Sequence, residues 1–270
     1  MISFVGAGPG AADLITLRGA QRLADAAVVI WASSLVPEAL LGHTRSGVEV
    51  HDSATMTLED VIGVYQAHPA AAIVRLHSGD PAVFGAIQEQ IDWCVANQRD
   101  FEIVPGVSSV AAAAAALGRE LTIPGLAQSV VLTRLGGRTK ASMPERESVE
   151  AFSAIGATTA IFLSAARPRE LQAELLGPTS AYTADTPAVI AVRVSWPDEQ
   201  VVTTTIGRLP EDLAATGART TALVLVGPAL GATGGPTEPA SRSHLYSPTF
   251  AHKYRRRSAP GSTVGRPAHD

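Results

Sequence analysis

Short apolar runs punctuate the first part of the chain, with longer segments of mixed polarity between them. Positions 2–5, 27–31, 72–76 and 101–104 are rich in Val, Ile, Leu and Phe and read as buried strands. A helix is expected from about Thr16, with Leu17, Ala20, Leu23 and Ala24 along one side. Thr57-Leu58-Glu59-Asp60 has the form of a second helix start, a hydroxyl that caps free amides followed by acids at the positive helix end. Roughly a dozen or more helical residues fit between the strands at 72–76 and 101–104. This alternation predicts a parallel sheet covered on both faces.

The rhythm changes near Leu121. Further strands are expected at 129–133, 159–163, 189–194, 201–206 and 221–226, only some of them separated by helix-length segments, so this sheet is predicted to be mixed. Ser195-Trp196-Pro197-Asp198 suits a hairpin between two of them. After Gly227 the composition shifts to Gly, Thr, Pro and Ser, the signature of a linker. A basic tail follows, with disorder expected from about Ser258. The chain therefore divides into an N-terminal α/β domain (1–119), a C-terminal α/β domain (120–230), and a linker and tail (231–270).

Composition narrows the function. The 270 residues are 46% hydrophobic and 17% charged, enough for one large α/β unit or two compact domains sharing a cleft. With 5% aromatic residues and 24 glycines, the core has to rely on small side chains and close backbone approach. A net charge of −4 offers no basic field for nucleic acid or an anionic membrane, although a few local arginines suffice to hold a small polyanion. No apolar run reaches bilayer length, and a strand-like run directly after Met1 argues against a signal peptide, so a cytoplasmic setting is expected. The single cysteine, Cys94, excludes an internal disulfide and a cysteine metal cage. It falls in an apolar helical pattern and reads as inert core, and no metal is expected.

Gly6-Ala7-Gly8-Pro9-Gly10 follows the first strand and invites a dinucleotide-binding reading. That site needs G-x-G-x-x-G at a helix start, so that backbone amides meet a pyrophosphate. Here the third glycine comes one residue early, and Pro9 removes an amide donor. The second strand ends Ile30-Trp31-Ala32-Ser33-Ser34, without the acid that would hold a ribose. A nicotinamide-dependent dehydrogenase becomes a minor alternative. Taken alone, the loop serves equally well as a tight structural turn or a ligand contact.

Two further blocks sit at strand ends and lead into helices: Arg75-Leu76-His77-Ser78-Gly79-Asp80-Pro81-Ala82-Val83-Phe84-Gly85, and Val104-Pro105-Gly106-Val107-Ser108-Ser109. Gly-rich strand ends on one edge of a parallel sheet are where open α/β folds place ligands. With Gly6–Gly10, in this order and at these spacings, the blocks resemble the tetrapyrrole methylase family of S-adenosylmethionine-dependent methyltransferases. The resemblance runs from Ile2 to about Gly227. It implies two α/β domains, the methyl donor held in the cleft between them, a small-molecule tetrapyrrole substrate, and a homodimer.

Carried over by position, donor contacts fall on Pro9, Ser78, Gly79, Asp80, Val83, Ser108 and Ser109, and in the second domain on Leu163, Val194 and Ala222. Read as residues alone, Gly79 and Pro81 are also ordinary turn-formers and Ser108 an ordinary N-cap. The tail, Ser243-His244-Leu245-Tyr246 and Phe250-Ala251-His252-Lys253-Tyr254-Arg255, resembles the C-terminal signature of the subgroup acting at C11 of precorrin-4. Ser33 departs from members that carry an acid there, so no proton-transfer role passes to that position. His77 is a candidate proton acceptor at a loaded strand end, or equally a structural histidine. A substrate with several carboxylates calls for cationic clamps, and Arg75, Arg119, Arg134, Arg138 and Lys140 lie in or near the candidate loops. Any one of them reads also as a solvated surface charge.

Overall fold

The computed structural model describes residues 1–136 and 141–231, together with Ser243, Leu245, Ser247 and 250–253. Two five-stranded sheets organise them. The first contains β1 (Ile2–Gly6), β2 (Val28–Trp31), β3 (Glu49–Asp52), β4 (Ile73–His77) and β5 (Phe101–Val104), in the order β3-β2-β4-β1-β5 and parallel throughout. The second contains β6 (Val130–Arg134), β7 (Thr158–Phe162), β8 (Pro187–Val192), β9 (Gln200–Thr205) and β10 (Ala222–Val226), in the order β6-β7-β10-β8-β9. Only β6 and β7 run parallel there, and β8 and β9 form the expected hairpin. One parallel and one mixed sheet match the sequence reading of fold class.

Four helices accompany the first sheet: α1 (Leu17–Asp25), α2 (Leu58–Ala67), α3 (Gln88–Ala96) and α4 (Ser109–Leu117). The Thr57 hydroxyl accepts from the Asp60 amide and the Asp60 carboxylate accepts from the Thr57 amide, a reciprocal cap at the foreseen start of α2. α1 lies differently from its expected face. Leu17 is 93% exposed, whereas Gly19, Leu23 and Ala26 are buried. The reason is Gly19: a Cβ there would meet Ile15 and Val5 at 2.9 and 3.1 Å, so the missing side chain lets the helix press onto β1 on that side. α3 is shorter than expected because residues 78–87 form an irregular loop before it. Cys94 on α3 is fully buried, as its pattern required.

α4 departs most from a simple βα layer. Its Val110 and Ala113 join the core cluster of the second sheet, against Ala160, Val189, Ala191, Val194, Leu223 and Leu225. The helix thus begins at a strand end of one sheet and rests on the face of the other. A second tie crosses between the sheets after β8. The Trp196 indole N–H donates to the Pro9 carbonyl at 3.1 Å, and the Ala11 amide donates to the Ser195 hydroxyl at 2.9 Å. Arg193 stacks its guanidinium 3.9 Å from the Trp196 ring centroid. Trp196→Ala removes the indole packed on Gly10, the hydrogen bond and the cation–π contact together, and is expected to cost about 2–3 kcal/mol, read as a lowered midpoint in chemical denaturation. A midpoint within experimental error of the wild type would show that this strut bears no stability.

Candidate functional site

The strand order places a topological switch between β4 and β1, since the chain leaves β1 toward β2 on one side and leaves β4 toward β5 on the other. Open α/β sheets form a crevice there, beyond the carboxyl ends of the strands. The three glycine-bearing segments meet at that point. The Gly79 amide donates to the Gly8 carbonyl at 2.7 Å, and the Ala7 amide to the His77 carbonyl at 2.7 Å. Gly8 and Gly79 adopt φ of +80° and +62°, where a Cβ is unfavourable. A Cβ on Gly6 would lie 2.5 Å from the Gly106 Cα, and one on Gly106 would lie 2.1 Å from the Gly79 carbonyl oxygen. No Cβ fits at such distances, so these backbones touch only because both positions are glycine.

Asp80 locks the same junction. One carboxylate oxygen accepts from the Ala82 amide at 2.8 Å, and the other from the Gly106 amide at 2.9 Å. The side chain thus fastens the loop after β4 to the loop after β5. Ser108 caps α4, its hydroxyl accepting from the Val110 amide at 3.3 Å. That leaves the Ser109 amide at the open start of the helix, where partial positive charge favours an anion. A Cβ on Gly79 would stand 3.8 Å from that amide, which puts the glycine turn beside the helix start.

His77 and Arg75 lie beneath this surface rather than on it. His77 is 7% exposed, with its ring 6.2 Å from that of Phe4. Burial, aided by the charge of Arg75, pushes its pKa down to about 3. An imidazole of that basicity carries no proton at neutral pH. Arg75 is largely buried, its guanidinium directed at the Ile30 carbonyl at 3.3 Å, and burial lowers its pKa as well. The pH consequence follows from linkage. The unfolded chain takes a proton on His77 below about 6.5, while the folded chain refuses it down to about 3. Stability contributed by the neutral ring is complete above pH 6.5 and is lost as pH falls through that window. His77→Gln is expected to show a shallower loss of denaturation midpoint between pH 6.5 and pH 4, and parallel profiles would contradict the burial effect.

The facing edge of the second sheet carries strained, non-glycine backbone. Leu163, Arg193, Ser195 and Thr221 have φ of 54°, 47°, 65° and 55°. They follow β7, follow β8 and precede the antiparallel β10, so all sit on one edge. Backbone of this kind costs about 1 kcal/mol or more per residue and gathers where geometry serves a ligand. Leu163 is 65% exposed, an apolar side chain held outward in a strained conformation. Phe84, from the loop after β4, is also at positive φ and half exposed, its ring 5.0 Å from that of Phe162. Phe84 and Arg134 line one pocket of about 160 Å³ with Thr133, Ser142, Met143 and Phe152.

The structure therefore gathers Ser78, Gly79, Asp80, Val83, Ser108 and Ser109 with buried Pro9 on the first sheet's carboxyl edge. Leu163 and Ala222 lie on the facing edge, whereas the Val194 side chain is buried against α4. Arg134 borders the pocket. Arg75 is turned inward, and Arg119 follows the far end of α4, about 13 Å of helix from Ser108. The Arg75 guanidinium does not reach these loops. Arg138 and Lys140 lie outside the described residues, as does most of the tail signature. Sequence reasoning missed Ser195 and Trp196 as partners of the first glycine loop, and Phe84 as an exposed wall. The only available signal was an apolar Phe84 inside a Gly- and Pro-rich turn.

Comparison with known proteins fits this geometry. Residues 1–210 match the family model of Tetrapyrrole (Corrin/Porphyrin) Methylases. The chain is 42% identical, over 95% of its length and 98% of the relative's, to a precorrin-4 C(11)-methyltransferase of Sinorhizobium sp.. The X-ray structure of a cobalamin biosynthetic enzyme, a cobalt precorrin-4 methyltransferase, superposes with a TM-score of 0.81 at 41% identity, covering 86% of this chain and 96% of that one. A uroporphyrin-III C-methyltransferase from Thermus thermophilus, complexed with S-adenosyl homocysteine, superposes with a TM-score of 0.71 at 26% identity, covering 85% and 98%.

Proposed function

We propose, from the premise that the chain belongs to the tetrapyrrole methylase family, that it transfers a methyl group from S-adenosylmethionine to C11 of precorrin-4, yielding precorrin-5 in cobalamin biosynthesis. The observation that carries the reading is a full-length likeness to enzymes of that activity, joined to a crevice built by the three loops the resemblance names.

The crevice suits the donor in three respects. The open amide at the start of α4 complements a carboxylate. Gly79 lets backbone approach without a side chain in the way. Exposed Leu163 and Phe84 offer apolar surface to a planar ring. On this reading Pro9, Ser78, Gly79, Val83, Ser108, Ser109, Leu163 and Ala222 contact the donor, Val194 supports that wall from beneath, and Asp80 acts chiefly by holding the loops.

S-adenosylmethionine supplies a methyl group already activated by its sulfonium. The chain's task is then to orient an electron-rich ring carbon in line with that methyl and to exclude water. This accounts for catalysis without a nucleophilic side chain. His77, neutral and buried, supports the glycine loop instead of taking a proton. Arg134 is the clamp best placed for a substrate carboxylate, because it borders the pocket beside Phe84. Arg134→Glu is expected to raise the Michaelis constant for the tetrapyrrole about tenfold or more and to leave donor affinity unchanged. An equal fall in donor affinity would remove Arg134 from the substrate side.

The reading extends, through the same resemblance, to a cytoplasmic homodimer. No helix among the described residues is long and apolar enough to cross a membrane. The deciding assay incubates the protein with S-adenosylmethionine and enzymatically prepared precorrin-4, and follows S-adenosylhomocysteine release and product mass. One added methyl, mapped to C11 by NMR, supports the assignment. A methyl at another ring carbon moves the activity to a sibling, and failure to bind the donor rejects it.

A further inference from the structure

A cluster of three ligating side chains lies on the edge strand of the first sheet, away from the glycine loops. β3 is an edge strand paired only with β2, in a register that sets Glu49 against Val28 and His51 against Ile30. Val28 and Ile30 are buried in the core beneath α2, with Val61 and Tyr65. The same face of the sheet therefore continues outward from two apolar residues to a carboxylate and an imidazole. The third group comes from elsewhere in the sequence. His68 terminates α2, and its carbonyl accepts from the Arg99 guanidinium at 2.8 Å, which fixes the turn that carries the ring.

The two imidazoles converge on one atom. His51 Nε2 lies 2.7 Å and His68 Nε2 3.3 Å from the same Glu49 oxygen, Oε1. The three ligating atoms lie within 4.8 Å of one another. The side chains are between 27% and 47% exposed, so an ion can reach them from solvent. A single carboxylate oxygen shared by two ring nitrogens is the geometry a small cation occupies well. With bonds of about 2.0–2.2 Å, its ligand atoms stand about 3–4 Å apart, a modest rotation from the arrangement seen here.

We propose that Glu49, His51 and His68 form a binding site for a divalent transition cation of the zinc class. Two imidazole nitrogens and one carboxylate oxygen favour zinc or its first-row neighbours over magnesium or calcium, which take all-oxygen shells. Water completes the coordination on the open side. The site is separate from the donor crevice, which gathers the loops after β1, β4 and β5, whereas β3 is the edge strand beyond β2.

The test uses the whole chain, stripped of metal with a chelator and titrated calorimetrically with zinc chloride. Binding of one equivalent with a dissociation constant below about 10 μM is expected, with X-ray absorption at the zinc edge showing two imidazoles in the shell. His51→Gln and His68→Gln should each weaken that affinity at least tenfold while leaving the thermal midpoint unchanged, since both rings are partly exposed. A control with His244, His252 and His269 all changed to Gln should keep the wild-type affinity. Absence of saturable binding, or binding that survives in the His51→Gln/His68→Gln double variant, overturns the proposal and leaves the trio as an ion pair guarding a sheet edge.

Discussion

Gly106→Ala is expected to destabilise the protein by about 3 kcal/mol or more, lowering its thermal midpoint by roughly 5–10 °C, and to abolish S-adenosylmethionine binding. The added methyl would stand 2.1 Å from the Gly79 carbonyl oxygen and 2.7 Å from the Gly6 Cα. Both are backbone atoms in tied segments: Gly79 is hydrogen-bonded to Gly8, and Gly6 closes β1. No flexible side-chain end is available to yield, so one of the three loops must leave its place. Gly63→Ala is the matching control, because its Cβ meets nothing within 4 Å in α2 and should leave stability equal or slightly raised. Differential scanning calorimetry with and without donor reads both variants. A Gly106→Ala protein that melts with the wild type and still gains stability from donor would show that the loops are not interlocked.

Asp80→Ala is expected to cost about 2 kcal/mol of stability and to weaken donor affinity between tenfold and a hundredfold. Its two oxygens accept from the Ala82 and Gly106 amides, so the change strands the partly buried Gly106 donor and leaves the exposed Ala82 amide to water. Hydrogen bonds to a charged group are worth about 1.5–3 kcal/mol, and the unpaired Gly106 amide adds its own penalty. The two readouts separate two roles. A residue that contacts only the ligand changes donor affinity and leaves denaturation untouched, whereas a residue that fastens loops moves both. A fall in affinity at constant stability would return Asp80 to direct contact with the donor.

Legibility in the sequence followed physical locality. The strands other than β3 were readable because their cores are runs of β-branched and aliphatic residues, and α2 because its cap lies within four consecutive positions. β3 was invisible because this four-residue edge strand, Glu49-Val50-His51-Asp52, holds one apolar residue and no apolar alternation. The glycine blocks declared a ligand edge, but their mutual contact could not be read, since Gly6, Gly79 and Gly106 are far apart in the chain. Leu163, Val194 and Ala222 came only through resemblance; nothing in an apolar strand tells which residue ends up strained at its tip. The pairing of Trp196 with Pro9 was likewise hidden, because the short turn after β8 advertises a hairpin and not a partner in another sheet. Arg75 misled in the opposite way. Its position two residues before His77 and the loop at Ser78 suggested a cleft-mouth cation, while strand alternation turned its side chain into the layer beneath.

The position of α4 bears on how the molecule can be taken apart. A cut after residue 119 respects the order of elements along the chain, yet it carries Val110 and Ala113 away from the surface they cover. The truncated first half would display an oily helix with no bed. The severed second half would bare Ala160, Val189, Ala191, Leu223 and Leu225 to water, a patch that invites self-association. Neither piece is then a fair miniature of its part of the enzyme. One helix, begun at a strand end of the first sheet and seated on the second, thus links the two halves.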